Sequence, residues 1–77
     1  MKADKSLDCV GFYCPMSIVK TADKIKELKV GEILEVVADD VAIKMDIIAW
    51  AKATGHEYLG INEDDGEIKV YVKKLHD

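Results

Sequence analysis

The sequence predicts an α/β fold, an α+β two-layer sandwich of order β-α-β-α-β-β with both helices on one face of the sheet. Three observations lead there. Short β-branched or alternating runs switch with stretches of helical apolar spacing. Glycine or aspartate punctuates nearly every switch. Consecutive β-α-β units with right-handed crossovers then place their helices on the same side.

Leu7-Asp8-Cys9-Val10 reads as the first strand, ended by Gly11, with Leu7 and Cys9 on one face and Asp8 and Val10 on the other. Pro15 suits a first helical position, because its φ is pre-set and the missing N–H would have had no helical partner. Cys14 then falls at the N-cap. Ile18, Ala22, Ile25 and Leu28 follow at helical spacing, and Gly31 closes the helix. Ile33 to Ala38 is almost wholly aliphatic, as a central strand would be. Asp39 and Asp40 are expected to cap a second helix that turns Ile43, Ile47, Trp50 and Ala51 inward and stops at Gly55. Tyr58 to Ile61 is a third strand, with Gly60 marking a bulge. Asp64-Asp65-Gly66 is a hairpin turn. Ile68 to Lys73 alternates as a half-exposed antiparallel strand. The second face of the sheet should be open or self-associating, with Val10 and Tyr71 as contacts there.

The 77 residues make one domain, 1–77, whose thin core leaves no space for a deep pocket beside a separate cofactor domain. Formal net charge is −4 and every basic residue is lysine. Without arginine's planar fork or a basic stripe, direct nucleic-acid binding is disfavoured. No apolar run is long enough to span a membrane, and Met1 to Ser6 has no apolar leader. A cytoplasmic setting is expected, with thiols reduced, so the two cysteines belong to chemistry or to the core rather than to a structural disulfide.

Cys14 is the leading candidate for chemistry. A thiol at a helix N-cap meets the unpaired N–H groups of the first turn and the positive end of the helix dipole. Both favour the thiolate, which is the nucleophile. Serine, aspartate or asparagine would cap better, so cysteine there points to function over stability. The competing reading is a cysteine that merely precedes a helix and packs inward, as free cysteine often does.

The pattern Leu7-Asp8-x-x-Gly11-x-x-Cys14-Pro15 resembles the signature of the TusA/SirA-like sulfur-carrier family. Val30-Gly31-Glu32, Ala38-Asp39-Asp40, Asp46-Ile47 and Gly55-His56-Glu57 fall where that family places similar residues, so the likeness runs from about Leu7 to Lys74. It implies a mixed four-stranded sheet and a sulfur carrier without cofactor or metal. Cys14 would accept sulfane sulfur as a persulfide and relay it, for tRNA thiolation or other sulfur metabolism. Partners would be a donor such as a cysteine desulfurase or rhodanese, and an acceptor protein. Pro15, Met16 and Ser17 would form the thiolate's surroundings, and Phe12, Tyr13, Lys20 and Lys24 a partner contact. Three positions depart from the family pattern: Val10, Ser17 in place of a second proline, and Ile48 in place of another. Ser17 restores a first-turn N–H and adds a hydroxyl, an extra donor for the Cys14 thiolate.

Other residues have plainer readings beside sharper ones. Cys9 is either a core residue on the first strand or a resolving thiol that makes the protein a redox module with Cys14. A zinc site from Cys9, Cys14, His56 and His76 lacks the usual ligand spacing. His56 fits a helix C-terminal cap, and Trp50 fits the core. The lysines of the first helix form a solvated face or, at Lys20 and Lys24, a docking surface. A non-catalytic RNA- or protein-binding module is the remaining alternative.

Overall fold

The computed structural model describes residues 3–12 and 16–76. Its elements are β1 (Lys5–Asp8), α1 (Met16–Ile25), β2 (Ile33–Ala38), α2 (Ile43–Thr54), β3 (Glu57–Asp64) and β4 (Glu67–Lys73). The β-α-β-α-β-β order and mixed four-stranded sheet match the expectation.

The sheet order is β1-β2-β4-β3. β1 runs parallel to β2, with Leu7 opposite Val36, while β4 is antiparallel to both β2 and β3. The last strand therefore inserts between β2 and β3 and separates the two ends of the second β-α-β unit. Composition explains which strand takes the middle. β4 buries Ile68, Val70, Tyr71 and Val72, whereas β3 carries exposed Glu57, Asn62, Glu63 and Asp64. Charged and polar residues on an edge strand discourage pairing with another chain.

Leu34, Val36, Ile68, Val70 and Val72 share one face of the sheet and pack with Ile25, Leu28, Ile43 and Ile47 from the helical side. Each such side chain, fully buried, contributes about 1.5–3 kcal/mol relative to exposure. The helical layer thus covers a single face, as expected. Among the described residues no helix is long and apolar enough to cross a membrane.

Several boundaries differ from the sequence reading. β1 ends at Asp8 rather than Val10, because the Asp8 carboxylate accepts the Val10 N–H at 3.0 Å and turns the chain. Cys9 still donates its N–H to the Val37 carbonyl, so it prolongs the ladder by one bond. α1 ends at Ile25, not near Gly31. Tighter bonds from Glu27 N to Lys24 O and from Leu28 N to Ile25 O close it, and Leu28 enters the core from that turn. Gly31 instead donates to the Lys74 carbonyl at 2.7 Å.

The aspartates before α2 do not cap it. Its N-cap is Ala42, without a side-chain bond; Asp40 accepts the Ala42 N–H at 3.1 Å and Asp39 reaches elsewhere. At its other end Gly55 adopts the left-handed conformation, φ 80°, and the His56 N–H returns to the Ala51 carbonyl, as expected for a glycine stop. The ladder shifts register between Tyr58 and Gly60, so the bulge is present. Asp65 and Gly66 both have positive φ, the geometry of a two-residue hairpin turn.

β4 is an interior strand rather than a half-exposed one. Tyr71 lies on the face away from the helices yet is only 7% exposed, and its hydroxyl donates to Glu35 at 2.9 Å across the sheet. That bond, with burial and the Glu35 charge behind it, raises the Tyr71 pKa. Val10 lies beyond the end of β1 and off the sheet. Neither residue is a free contact on the open face.

Candidate functional site

Cys14, with Tyr13 and Pro15, lies outside the described residues. The chain on either side of them shows how the fold builds their frame. The approach is the segment Cys9 to Phe12, held at several points. The Asp8 carboxylate turns Val10, the Phe12 N–H donates to the Cys9 carbonyl at 3.1 Å, and Gly11 takes φ 89°, a conformation costly for a residue with a Cβ. The Gly11 N–H donates to the Asp39 carboxylate at 3.1 Å. This bond ties the exit of β2 to the approach, across 28 residues of sequence.

On the far side α1 begins at Met16. The first N–H groups of a helix have no partner within it. Ser17 is fully buried, and its hydroxyl donates to the Phe12 carbonyl at 3.4 Å while also facing the Cys9 thiol. Thr21, one turn further, is likewise buried and donates to the Ser17 carbonyl at 2.7 Å. A buried serine therefore clasps the approach segment onto the first turn of α1. Met16 is exposed and its side chain faces solvent.

Cys9 forms the floor beneath this frame. It is a free cysteine, fully buried, and belongs to the core cluster. Burial raises its thiol pKa; the Lys20 charge pulls the other way, Asp8 adds to the rise, and the Ser17 hydroxyl opposes it. A buried, protonated thiol is a poor nucleophile.

The surface around the frame is apolar and cationic. Val10, Phe12, Met16 and Val19 are each between 38% and 49% exposed. The Lys20 ammonium sits 4.6 Å from the centre of the Phe12 ring, a cation–π contact that orders both side chains. Lys24 pairs with Glu27 at 3.3 Å, an exposed bridge of little energetic weight. Phe12 and Lys20 therefore stand together beside the frame, while Lys24 is one turn away and paired.

Two features of this region were not assigned from the sequence. Asp39, which its position before α2 marks as a helix cap and its Ala-Asp-Asp block as part of the family resemblance, braces the approach segment instead. The second is an exposed apolar stripe of Val41, Met45 and Ile48, leading into and along α2. Their spacing, offset from buried Ile43 and Ile47, carried that signal: the helix is apolar on more than one side.

His56 and His76 do not approach the frame. Their rings stack on each other, centroids 4.5 Å apart, at the C-terminal end of α2. Among the described residues no cluster of three or more histidine, cysteine or acidic side chains could hold a metal ion.

The family profile for Sulfurtransferase TusA matches residues 5–74. YrkF of Bacillus subtilis, named as a sulfur carrier, is 56% identical over 68 residues; the match covers 88% of this chain but only 36% of YrkF, so the chain spans about a third of that relative. YrkI of the same organism, also named as a sulfur carrier, is 43% identical over 74 residues, covering 96% of this chain and 99% of YrkI. A crystal structure of a SirA-like protein from Desulfitobacterium hafniense superposes with a TM-score of 0.76 over 94% of this chain and 99% of that one; at 24% identity this likeness speaks for the fold. On the profile match across nearly all its length, and on a relative of the same extent, the chain belongs to the TusA sulfurtransferase family.

Proposed function

We propose that the protein carries sulfane sulfur as a persulfide on Cys14 and relays it between partner proteins. The observation that carries this reading is the family membership across residues 5–74, with the Leu7-Asp8-x-x-Gly11-x-x-Cys14-Pro15 motif inside it. The chemistry is a sulfur transfer without redox change. The Cys14 thiolate attacks the outer sulfur of a donor persulfide, a new S–S bond forms, and the donor's S–S bond breaks. The donor leaves as a thiolate and the proton stays on the transferred sulfur. The acceptor repeats the step in the forward direction.

The frame supports such a role. First-turn N–H groups at Met16 and Ser17 offer donors to an anionic sulfur, and the helix dipole adds to them. Exposed Phe12, Met16 and Val19, with Lys20 held over Phe12, provide an apolar, cationic collar for a protein partner. A partner surface rather than a pocket suits a carrier, whose substrate is another protein's persulfide. Donors of the cysteine desulfurase or rhodanese class, and a thiol acceptor, fit this chemistry.

Intact mass after incubation with a cysteine desulfurase and cysteine tests the reading. A reducible gain of one sulfur in wild type and in Cys9→Ser, absent in Cys14→Ser, is expected. No gain in wild type, with polysulfide as donor as well, would sink it. A gain that needs both cysteines would move the assignment to a redox module.

A further inference from the structure

Between α1 and α2 lies an apolar cleft of about 340 Å³, with Ile25 and Trp50 among its walls. Two imidazoles line its end: His56, which follows the Gly55 stop of α2, and His76, from the segment after β4. Their rings stack with 9° between planes, and Trp50 lies 5.6 Å from His56. His76 sits close against the end of α2, where a Cβ on Gly55 would come within 3.3 Å of its Nε2.

Hydrogen bonds from Leu75 and His76 hold this segment in place, and they differ in kind. His76 Nε2 bonds the Thr54 carbonyl, which can only accept, so that nitrogen carries a proton in either charge state of the ring. The Leu75 N–H donates to His56 Nδ1 at 3.2 Å. That bond needs the Nδ1 lone pair, which only a neutral His56 with its proton on Nε2 offers. A proton taken from solvent fills the lone pair and sets N–H against N–H.

The titratable and charged groups around His56 are His76 and Lys74 from the segment after β4, Lys26 just beyond α1, and Glu57, next to it in β3. Burial first, then His76 and Lys74, lower the His56 pKa, so the ring is neutral and accepting near pH 7. Lys74 is anchored by bonds of its own: its N–H donates to Glu32, its carbonyl accepts from Gly31, and its ammonium donates to the Leu28 carbonyl. The part of the segment that answers to His56 therefore begins at Leu75.

We propose that His56 is a proton-operated latch: neutral, it holds Leu75 and keeps His76 over the end of the cleft; protonated, it lets go of Leu75, loosens the segment and opens the cleft beside Trp50 to solvent. The latch lies apart from the Cys14 frame, and its test is independent of sulfur transfer.

The full chain is followed by NMR from neutral pH down through the titration of the His56 ring. Exchange of the Leu75 amide with water, corrected for its intrinsic pH dependence, should rise about two- to tenfold with the midpoint of the His56 ring shift, the range set by loss of one ordinary hydrogen bond. Trp50 is the only tryptophan, and its quenching by neutral acrylamide should rise with the same midpoint. His56 is only partly buried, so His56→Asn keeps the fold and replaces Nδ1 by an amide group that does not titrate; neither pH dependence should remain in it. The proposal is overturned by Leu75 exchange that ignores the His56 midpoint, by Trp50 quenching that stays flat through it, or by His56→Asn that keeps either dependence.

Discussion

Removing the Asp39 carboxylate should slow sulfur loading on Cys14 while leaving the fold nearly as stable. Asp39 accepts one hydrogen bond, from Gly11 at 3.1 Å, and both residues are exposed. In Asp39→Ala water can satisfy the Gly11 N–H, so the net loss is that of an ordinary hydrogen bond, about 0.5–1.5 kcal/mol. The loss falls on the loop rather than on the core, whose buried aliphatic residues do not include Asp39. If that energy holds the approach segment in its transfer-competent arrangement, the competent fraction falls by about two- to tenfold, and the loading rate falls with it. A time course of intact mass with a fixed concentration of cysteine desulfurase measures this rate. Thermal denaturation on the same samples separates it from unfolding. Asp39→Asn keeps an oxygen acceptor and removes the charge, so rescue by asparagine identifies the hydrogen bond as the working part. Loading of Asp39→Ala at the wild-type rate, with an unchanged melting temperature, would refute the reasoning.

Ser17→Ala removes a fully buried hydroxyl and with it the bond to Phe12, partly offset by alanine's better helix propensity; a loss of about 0.5–1 kcal/mol should lower the melting temperature by a few degrees. A rise in melting temperature would show that the hydroxyl does not clasp the loop. Cys9→Ala should cost about 1–2 kcal/mol for the small void left in the core, and should still load sulfur on Cys14; full loss of loading in a folded Cys9→Ala protein would return Cys9 to the chemistry. His56 has its pKa lowered, first by burial and then by His76 and Lys74, so the folded state binds fewer protons than the unfolded chain. Its contribution to stability is therefore present above the ordinary histidine value of 6.5 and lost as pH falls through it, levelling off below the folded pKa. Melting temperatures from about pH 7.5 to about pH 5.5 should fall more steeply for wild type than for His56→Gln; parallel slopes would contradict the assignment.

The elements were largely legible because their signals are local. Helical spacing at Ile18, Ala22 and Ile25, the aliphatic run from Ile33 to Ala38, the Asp65-Gly66 turn and the Gly55 stop each act within a few residues. The helix ends were less legible. Asp8 and Asp40 bond locally and redirect the chain, and a sequence cannot say which of several nearby N–H groups an aspartate will choose. Tyr71 takes the face that alternation predicts, away from the helices, but its burial depends on the neighbouring strand that supplies Glu35.

By itself, the sequence determined the order of elements, the two-layer class, and the motif that marks Cys14 and its family. Only the tertiary structure decided that β4 lies between β2 and β3, that Asp39 braces the loop before Cys14, and that buried Ser17 meets both that loop and the Cys9 thiol. The division has a physical cause. Periodicity and turn chemistry act over a few residues along the chain, whereas strand order, a bond across 28 residues and a shared cavity depend on which surfaces meet when the chain closes on itself.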